Sequence, residues 1–284
     1  MSEAAQFRTG KGHKDENFPV ASFILKPVHR APIMAFYRFA RTADDVADHA
    51  TASEAEKLQM LGAMGATLAG DSDENPEALV LRGVLAERGL SDIHGLDLLK
   101  AFTQDVTKRR YADWAELMDY CRYSASPVGR FVLDVHGESR DLWPANDALC
   151  SALQVINHLQ DCAKDYAEID RVYLPEDELA RAGTSVQALT APSATPELKG
   201  VIADLAHRTA WLLDRSRPFA AGIKDGRLAY EVALIQRLAE SLTAWLETRD
   251  PLSERVHHQP WNVAGLAAMA LADRMTGRGR KAAA

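Results

Sequence analysis

Gln154-Val-Ile-Asn157-His-Leu-Gln160-Asp161-Cys-Ala-Lys164-Asp165 decides how the rest of this 284-residue chain is read. On a helix, Gln154, Asn157, Asp161 and Asp165 stand at i, i+3, i+7 and i+11 as one polar stripe, while Val155, Leu159, Ala163 and Tyr166 make an apolar stripe beside it. That pattern predicts a helix inside the protein, its polar row turned to a cavity rather than to bulk water. Buried carboxylates one turn apart repel each other and resist ionisation unless positive charge lies between them. With only oxygen donors in the row, a hard divalent cation is the natural partner, and magnesium held by one or two carboxylates plus a substrate's phosphates fits best. The same spacing also describes an ordinary solvated helix face, and a lone D-x-x-x-D does not separate the two.

Composition narrows the class of function. Hydrophobic residues make up 47% and charged residues 26% of the chain, an ordinary globular balance able to bury a sizeable core. A formal net charge of −7 argues against a sequence-independent nucleic-acid binder, so no nucleic acid is expected as a partner. Cys121, Cys150 and Cys162 show no C-x-x-C spacing and cannot all pair, which points to reduced thiols rather than a disulfide framework or a zinc site. Met1 to Asn17 lacks the apolar segment of a signal peptide, and no window approaches a membrane-spanning length. A cytoplasmic location is expected, with transient, peripheral contact with an inner membrane left open.

Outward from the opening stretch the chain reads as helices, and strand-like alternation never appears. Residues 1–16 read as a tail, 17–275 as one helical domain, and 276–284 as a basic tail carrying Arg278, Arg280 and Lys281. Pro27 interrupts an apolar element and Pro32 suits the first position of a helix reaching about His49. Ser53, with Glu56 three residues on, predicts a capping box opening a helix to about Leu68. Further helices are expected over 77–87, 91–106 and 114–124, then from Pro127 through His136, and Asn146 is read as the cap of the long helix holding the opening stretch. Tyr173-Leu-Pro175 stops that helix, 183–196 forms the main irregular connection, and helices resume over 197–217, 227–247 and 261–275.

A second polar row stands near the N-terminus. Tyr37, Arg41, Asp44 and Asp48 fall at i, i+4, i+7 and i+11, with Ala35, Phe36, Phe39, Ala40 and Ala43 as the packing surface. Two acidic rows in one all-helical chain say more than either alone. Facing helices that bear them could hold magnesium ions against the diphosphate of an allylic or cyclopropylcarbinyl ester, which favours ionisation to a carbocation shielded by an apolar pocket. Arg41 and Arg171 stand where they can bond phosphate oxygens, and each suits an ordinary structural salt bridge equally well.

Four segments carry a family resemblance. Tyr37-Arg-Phe-Ala-Arg41-Thr-Ala-Asp44-Asp-Val-Ala-Asp48, Tyr120-Cys-Arg-Tyr-Ser-Ala-Ser-Pro-Val-Gly129, Gln154 through Asp165, and Arg171-Val-Tyr173-Leu-Pro175 resemble, in order, the motif set of the squalene/phytoene synthase family, over roughly residues 17–255. The resemblance implies the all-α isoprenoid (terpenoid) synthase fold, a single helical domain around a deep apolar channel. It implies Asp44, Asp48, Asn157, Asp161 and Asp165 as metal ligands, for magnesium with manganese as a substitute, and Arg41 and Arg171 as diphosphate binders. It also implies that Tyr37, Tyr120, Gln154 and Tyr173 line the reaction pocket, with Phe18 and Gly129 against the isoprenoid tail. For Tyr120 and Gly129, helix packing against Pro127 is an equal reading.

Glu16-Asn-Phe-Pro-Val-Ala-Ser22 and Asn157-His-Leu-Gln160-Asp161 are most similar to the hydroxysqualene-forming branch of the bacterial hopanoid pathway. That branch ionises presqualene diphosphate and adds water, and it implies a handover from a presqualene diphosphate synthase. Condensing members commonly carry arginine where this chain has Gln160, and the amide is expected to approach the metal site from the flank. No Gly-rich dinucleotide fingerprint is present, so no NADPH is expected. The rival within the family couples two farnesyl diphosphates, or makes phytoene or dehydrosqualene. A rival of another class is a non-catalytic helical assembly factor, which has no chemical reason to keep both acidic rows. A di-iron bundle asks for two Glu-x-x-His motifs, and only Glu254-Arg-Val-His257 is present.

Overall fold

Helix capping and helix-period apolar stripes dictate an all-helical chain, and the structure, a computed structural model describing residues 25–276 with side chains through Asp273, has no strand among those residues. The order is α1 (Pro27–Ala47), α2 (Glu54–Ala69), α3 (Pro76–Arg88), α4 (Ile93–Thr107), α5 (Trp114–Ser124), α6 (Ser126–His136), α7 (Trp143–Ile169), α8 (Glu176–Arg181), α9 (Pro196–Ser216), α10 (Phe219–Gly222), α11 (Gly226–Leu246) and α12 (Pro260–Thr276). Two compact units emerge, one from the chain up to Lys108 with Pro127–Arg140, the other from Arg109–Ser126 with the chain from Asp141 onward.

In the first unit, α1 packs on α2, α3 and α4 through Phe39, Ala43 and Val46, which are buried with Leu61, Met64, Leu68, Leu81 and Leu98. Phe36 stacks on Phe131 of α6 with ring centroids 4.1 Å apart. Gly95 lets α4 close on this core: a Cβ there would meet a Leu68 methyl at 2.6 Å and the Phe39 ring at 3.4 Å. The capping box forms as expected. Ser53 Oγ accepts from the Glu56 backbone N–H at 3.3 Å, Glu56 Oε2 accepts from the Ser53 N–H at 2.8 Å, and Gly70 closes α2 at φ 95°.

The start of α1 differs from the sequence expectation. The helix begins at Pro27, and Pro32 lies inside it. Proline in a helix interior removes the N–H that the carbonyl four residues back would receive. Here that carbonyl belongs to Val28, and it accepts from the guanidinium of Arg88 at the end of α3. A partner 60 residues away therefore repairs the break, and the first helical position falls to Pro27 instead.

In the second unit, α7 packs on α5, α9 and α11, burying Val155, Ile156, Leu159 and Cys162. Its start is also corrected. The helix begins at Trp143, with Pro144 in the first turn, so Asn146 is not a cap; it is buried inside α7, where its amide donates to the Ser126 carbonyl at 3.3 Å. The C-terminus of α7 is closed by two arginines. Arg109 donates to the Ile169 carbonyl at 3.0 Å, and Arg110 pairs with the Asp170 carboxylate at 2.6 Å, holding Asp170 at φ 51°. Beyond it, backbone bonds from Val172 to Arg109 and from Glu176 to Tyr111, both 2.9 Å, lay 171–176 alongside the chain that leads into α5. These bonds bring Arg171 and Tyr173 to the polar end of α7.

Candidate functional site

Each unit carries one part of the expected machinery. Tyr37, Arg41 and Asp44 on α1 and Asp48 at its C-cap are half-buried, as a polar row beside a packed face should be, and half-buried Gly129 lies on α6 in the same unit. Arg41 forks onto two carboxylates, Asp44 and Asp45, at 2.8 Å each, and Asp45 is buried. The structural role for Arg41 is therefore occupied. Asp105, buried on α4, adds another negative charge to the group. Burial first, then the Asp48 charge, push Asp44 from 3.8 to about 7 against the opposing pull of Arg41, with Asp105 and Asp45 adding to the rise. More negative charge gathers here than Arg41 balances.

A test of that imbalance follows. The folded state holds a proton on Asp44 that the unfolded chain has already lost, so Asp44 lowers stability increasingly as pH rises from about 4 to about 7. Asp44→Asn removes the titration. Thermal melts without divalent cation should show the variant equal to the parent near pH 4 and more stable above pH 7, by about 1 kcal/mol, because 37% of the Asp44 side chain is open to screening water. A variant less stable than the parent at pH 8 would contradict the imbalance.

In the second unit, Gln154, Asn157, Asp161 and Asp165 are half-buried on α7, and the apolar row beside them divides, Val155 and Leu159 being buried and Ala163 and Tyr166 half-buried. Next to the row lies a buried aromatic group. Tyr120 of α5 and Tyr173 have ring centroids 5.5 Å apart and hydroxyls 3.4 Å apart, and the Arg171 guanidinium, itself 3% exposed, donates to the Tyr173 hydroxyl at 3.3 Å. Two members escaped the sequence reading. Tyr111 packs 5.3 Å from Tyr120 and 5.4 Å from Tyr173, and His158 stacks on Tyr173 at 3.4 Å. His158 was legible: at 100° per residue it lies within about 60° of both Asp161 and Asp165. Tyr111 precedes α5 with no periodicity to reveal it. Burial, then the Arg171 charge, lower His158 to about 3, so its imidazole is neutral at physiological pH. The group thus offers three aromatic π-faces, a neutral imidazole and the Arg171 cation. Phe18 lies outside the described residues, as do Arg278, Arg280 and Lys281.

Comparison with known proteins bears on both halves. The squalene/phytoene synthase family model matches residues 11–262. The chain belongs to the squalene/phytoene synthase family. It is 56% identical, over 96% of its length and 92% of the relative's, to the hydroxysqualene synthase of Zymomonas mobilis. To the presqualene diphosphate synthase of the same organism it is 32% identical, over 69% of its length and 68% of that protein's. Among solved structures it resembles the squalene synthase HpnC of Alicyclobacillus acidocaldarius, at 31% identity and TM-score 0.70, covering 79% of this chain and 85% of that one. The chain has the all-α isoprenoid synthase fold that the family resemblance implies.

Gln160 behaves differently from the expectation drawn for this family member. Its side chain is buried and donates to the buried carbonyl of Val256, and so does not approach the acidic row from the flank. The reason lies in helix geometry: 160 sits about 100° round from Asp161, on the side of α7 covered by the 254–259 segment. That segment is tied further by His258 Nε2, 3.1 Å from the Leu238 carbonyl, and it brings His257 within electrostatic reach of Asp161. Gln160→Leu should cost about 1–3 kcal/mol by leaving the Val256 carbonyl buried without that donor. Faster amide exchange confined to 254–258 would accompany the loss, and unchanged melting would show that the bond contributes nothing.

Proposed function

We propose that this chain is a hydroxysqualene synthase: it ionises presqualene diphosphate, the cyclopropylcarbinyl cation rearranges, and water captures it to give hydroxysqualene and diphosphate. The observation that carries this choice is the contrast within one organism, 56% identity to the relative named for hydration against 32% to the relative named for presqualene diphosphate. Gln160 supports it too, since the position where condensing relatives commonly carry an arginine is here an uncharged tether.

Asp44, Asp48, Asn157, Asp161 and Asp165 would hold magnesium, and we take the two rows to serve one diphosphate within one catalytic domain. The donor set fits such an ion, being all oxygen and half-buried, with Asp44 driven up by burial and by the neighbouring Asp48 carboxylate. Bound magnesium would offset the charge of the departing diphosphate. Arg41 holds Asp44 and Asp45 in place, and Arg171 would bind the diphosphate. The faces of Tyr111, Tyr120 and Tyr173 stabilise a carbocation through their quadrupoles, and neutral His158 avoids repelling it. Burial of this group keeps water from the cation except where the fold admits it. The substrate's origin is a presqualene diphosphate synthase, from which it is handed over in the cytoplasm.

Incubation of the purified protein with presqualene diphosphate and magnesium, followed by product identification, should yield hydroxysqualene. Turnover should stop in excess chelator and return with magnesium or manganese, and full turnover in chelator would overturn the metal assignment. Robust formation of presqualene diphosphate from farnesyl diphosphate would make the chain a condensing member instead.

A further inference from the structure

His158 is the member of the aromatic group that packing alone does not explain. It lies on α7 about 40° round from Gln154 and about 20° from Asp165, on the face of the acidic row. It is nevertheless 7% exposed, where Gln154, Asp161 and Asp165 are half-buried. Its ring stacks on Tyr173 at 3.4 Å and stands 6.1 Å from Tyr120. A phenyl ring would stack as well. The imidazole adds a nitrogen, Nε2, that is buried and meets no hydrogen-bond partner. A buried polar atom in that position lowers stability unless water or a ligand satisfies it.

The hydroxyls of the group are engaged. Those of Tyr120 and Tyr173 lie 3.4 Å apart, and the Tyr173 hydroxyl accepts from Arg171 at 3.3 Å. Aromatic faces stabilise a carbocation and supply no oxygen to it. A water that captures the cation must turn a lone pair towards it, which requires an acceptor to hold its hydrogen on the other side. An imidazole with its proton on Nδ1 presents such an acceptor at Nε2.

We propose that His158 Nε2 holds the water that captures the carbocation and takes up its proton. This role presupposes the hydration chemistry proposed for the chain. The water oxygen forms the new C–O bond, the O–H bond directed at Nε2 breaks, and the imidazolium passes the proton on to the released diphosphate. No electrons are exchanged with any other group. The step needs no tuned basicity, because a protonated alcohol is a far stronger acid than an imidazolium. In single turnover with presqualene diphosphate and magnesium, the parent should form hydroxysqualene in proportion to the diphosphate released. His158→Phe keeps the stack without the nitrogen, and its ratio of hydroxysqualene to diphosphate should fall by at least about tenfold as the cation loses a proton to give hydrocarbons. That ratio does not depend on how much of the variant folds or how fast it ionises its substrate. Should His158→Phe fail to fold, His158→Gln, whose amide oxygen accepts, must give a ratio at least about fivefold above that of His158→Leu. A parental ratio in the phenylalanine variant, or equal ratios in the glutamine and leucine variants, would overturn the role of His158 and leave hydration standing. A parent that releases diphosphate without hydroxysqualene would overturn both.

Discussion

Asp161→Ala should lower kcat/KM for presqualene diphosphate by on the order of a thousandfold while melting within a few degrees of the parent. Asp161 stands half-buried at the middle of the α7 row, one turn from Asn157 and Asp165. The packing side of that helix, Val155, Ile156, Leu159 and Cys162, does not involve it, so removing the carboxylate takes nothing from the core. A ligand oxygen that acts only as charge develops on the leaving diphosphate contributes to the rate and not to the fold. Asp161→Asn sharpens the test, because it keeps shape and one oxygen but not the charge, and its activity should fall between parent and alanine. Circular dichroism, melting and single-turnover product assays read the two sides separately. An alanine variant with parental kcat/KM would remove Asp161 from the site, and one that unfolds would make it a structural residue.

Arg41→Met should produce the largest loss of stability, about 2–3 kcal/mol, or roughly 4–10 °C in Tm near pH 8. Its guanidinium forks onto Asp44 and Asp45, and Asp45 is 5% exposed, so the variant leaves charge in a place water reaches poorly. The cost should shrink at pH 5, below the value of about 7 to which Asp44 is raised, because a protonated Asp44 no longer needs the cation. Combining Arg41→Met with Asp44→Asn should recover part of the loss, since the two residues share one network. Equal melting of Arg41→Met and parent at pH 8 would mean that the fork is solvated and free to bind substrate.

Sequence alone determined the helices and both acidic rows, because helix periodicity and end chemistry are local properties. The Ser53 and Glu56 box and the bounds of α5 at Trp114 and Ser124 needed no partner from elsewhere in the chain. Tertiary structure decided what could not be read locally. Pro32 sits inside a helix because Arg88 supplies the missing donor, and Asn146 is buried because Ser126 offers a carbonyl. Gln160 tethers a distant segment instead of flanking the acidic row because Val256, 96 residues away, lies over that side of α7. The charge on Asp44 depends first on burial by the surrounding helices, with Asp105 from another helix adding to it, and neutral His158 on its burial and then on Arg171. A side chain's hydrogen-bond partner and local dielectric are set by whatever the fold brings against it, and spacing along the chain carries no record of that.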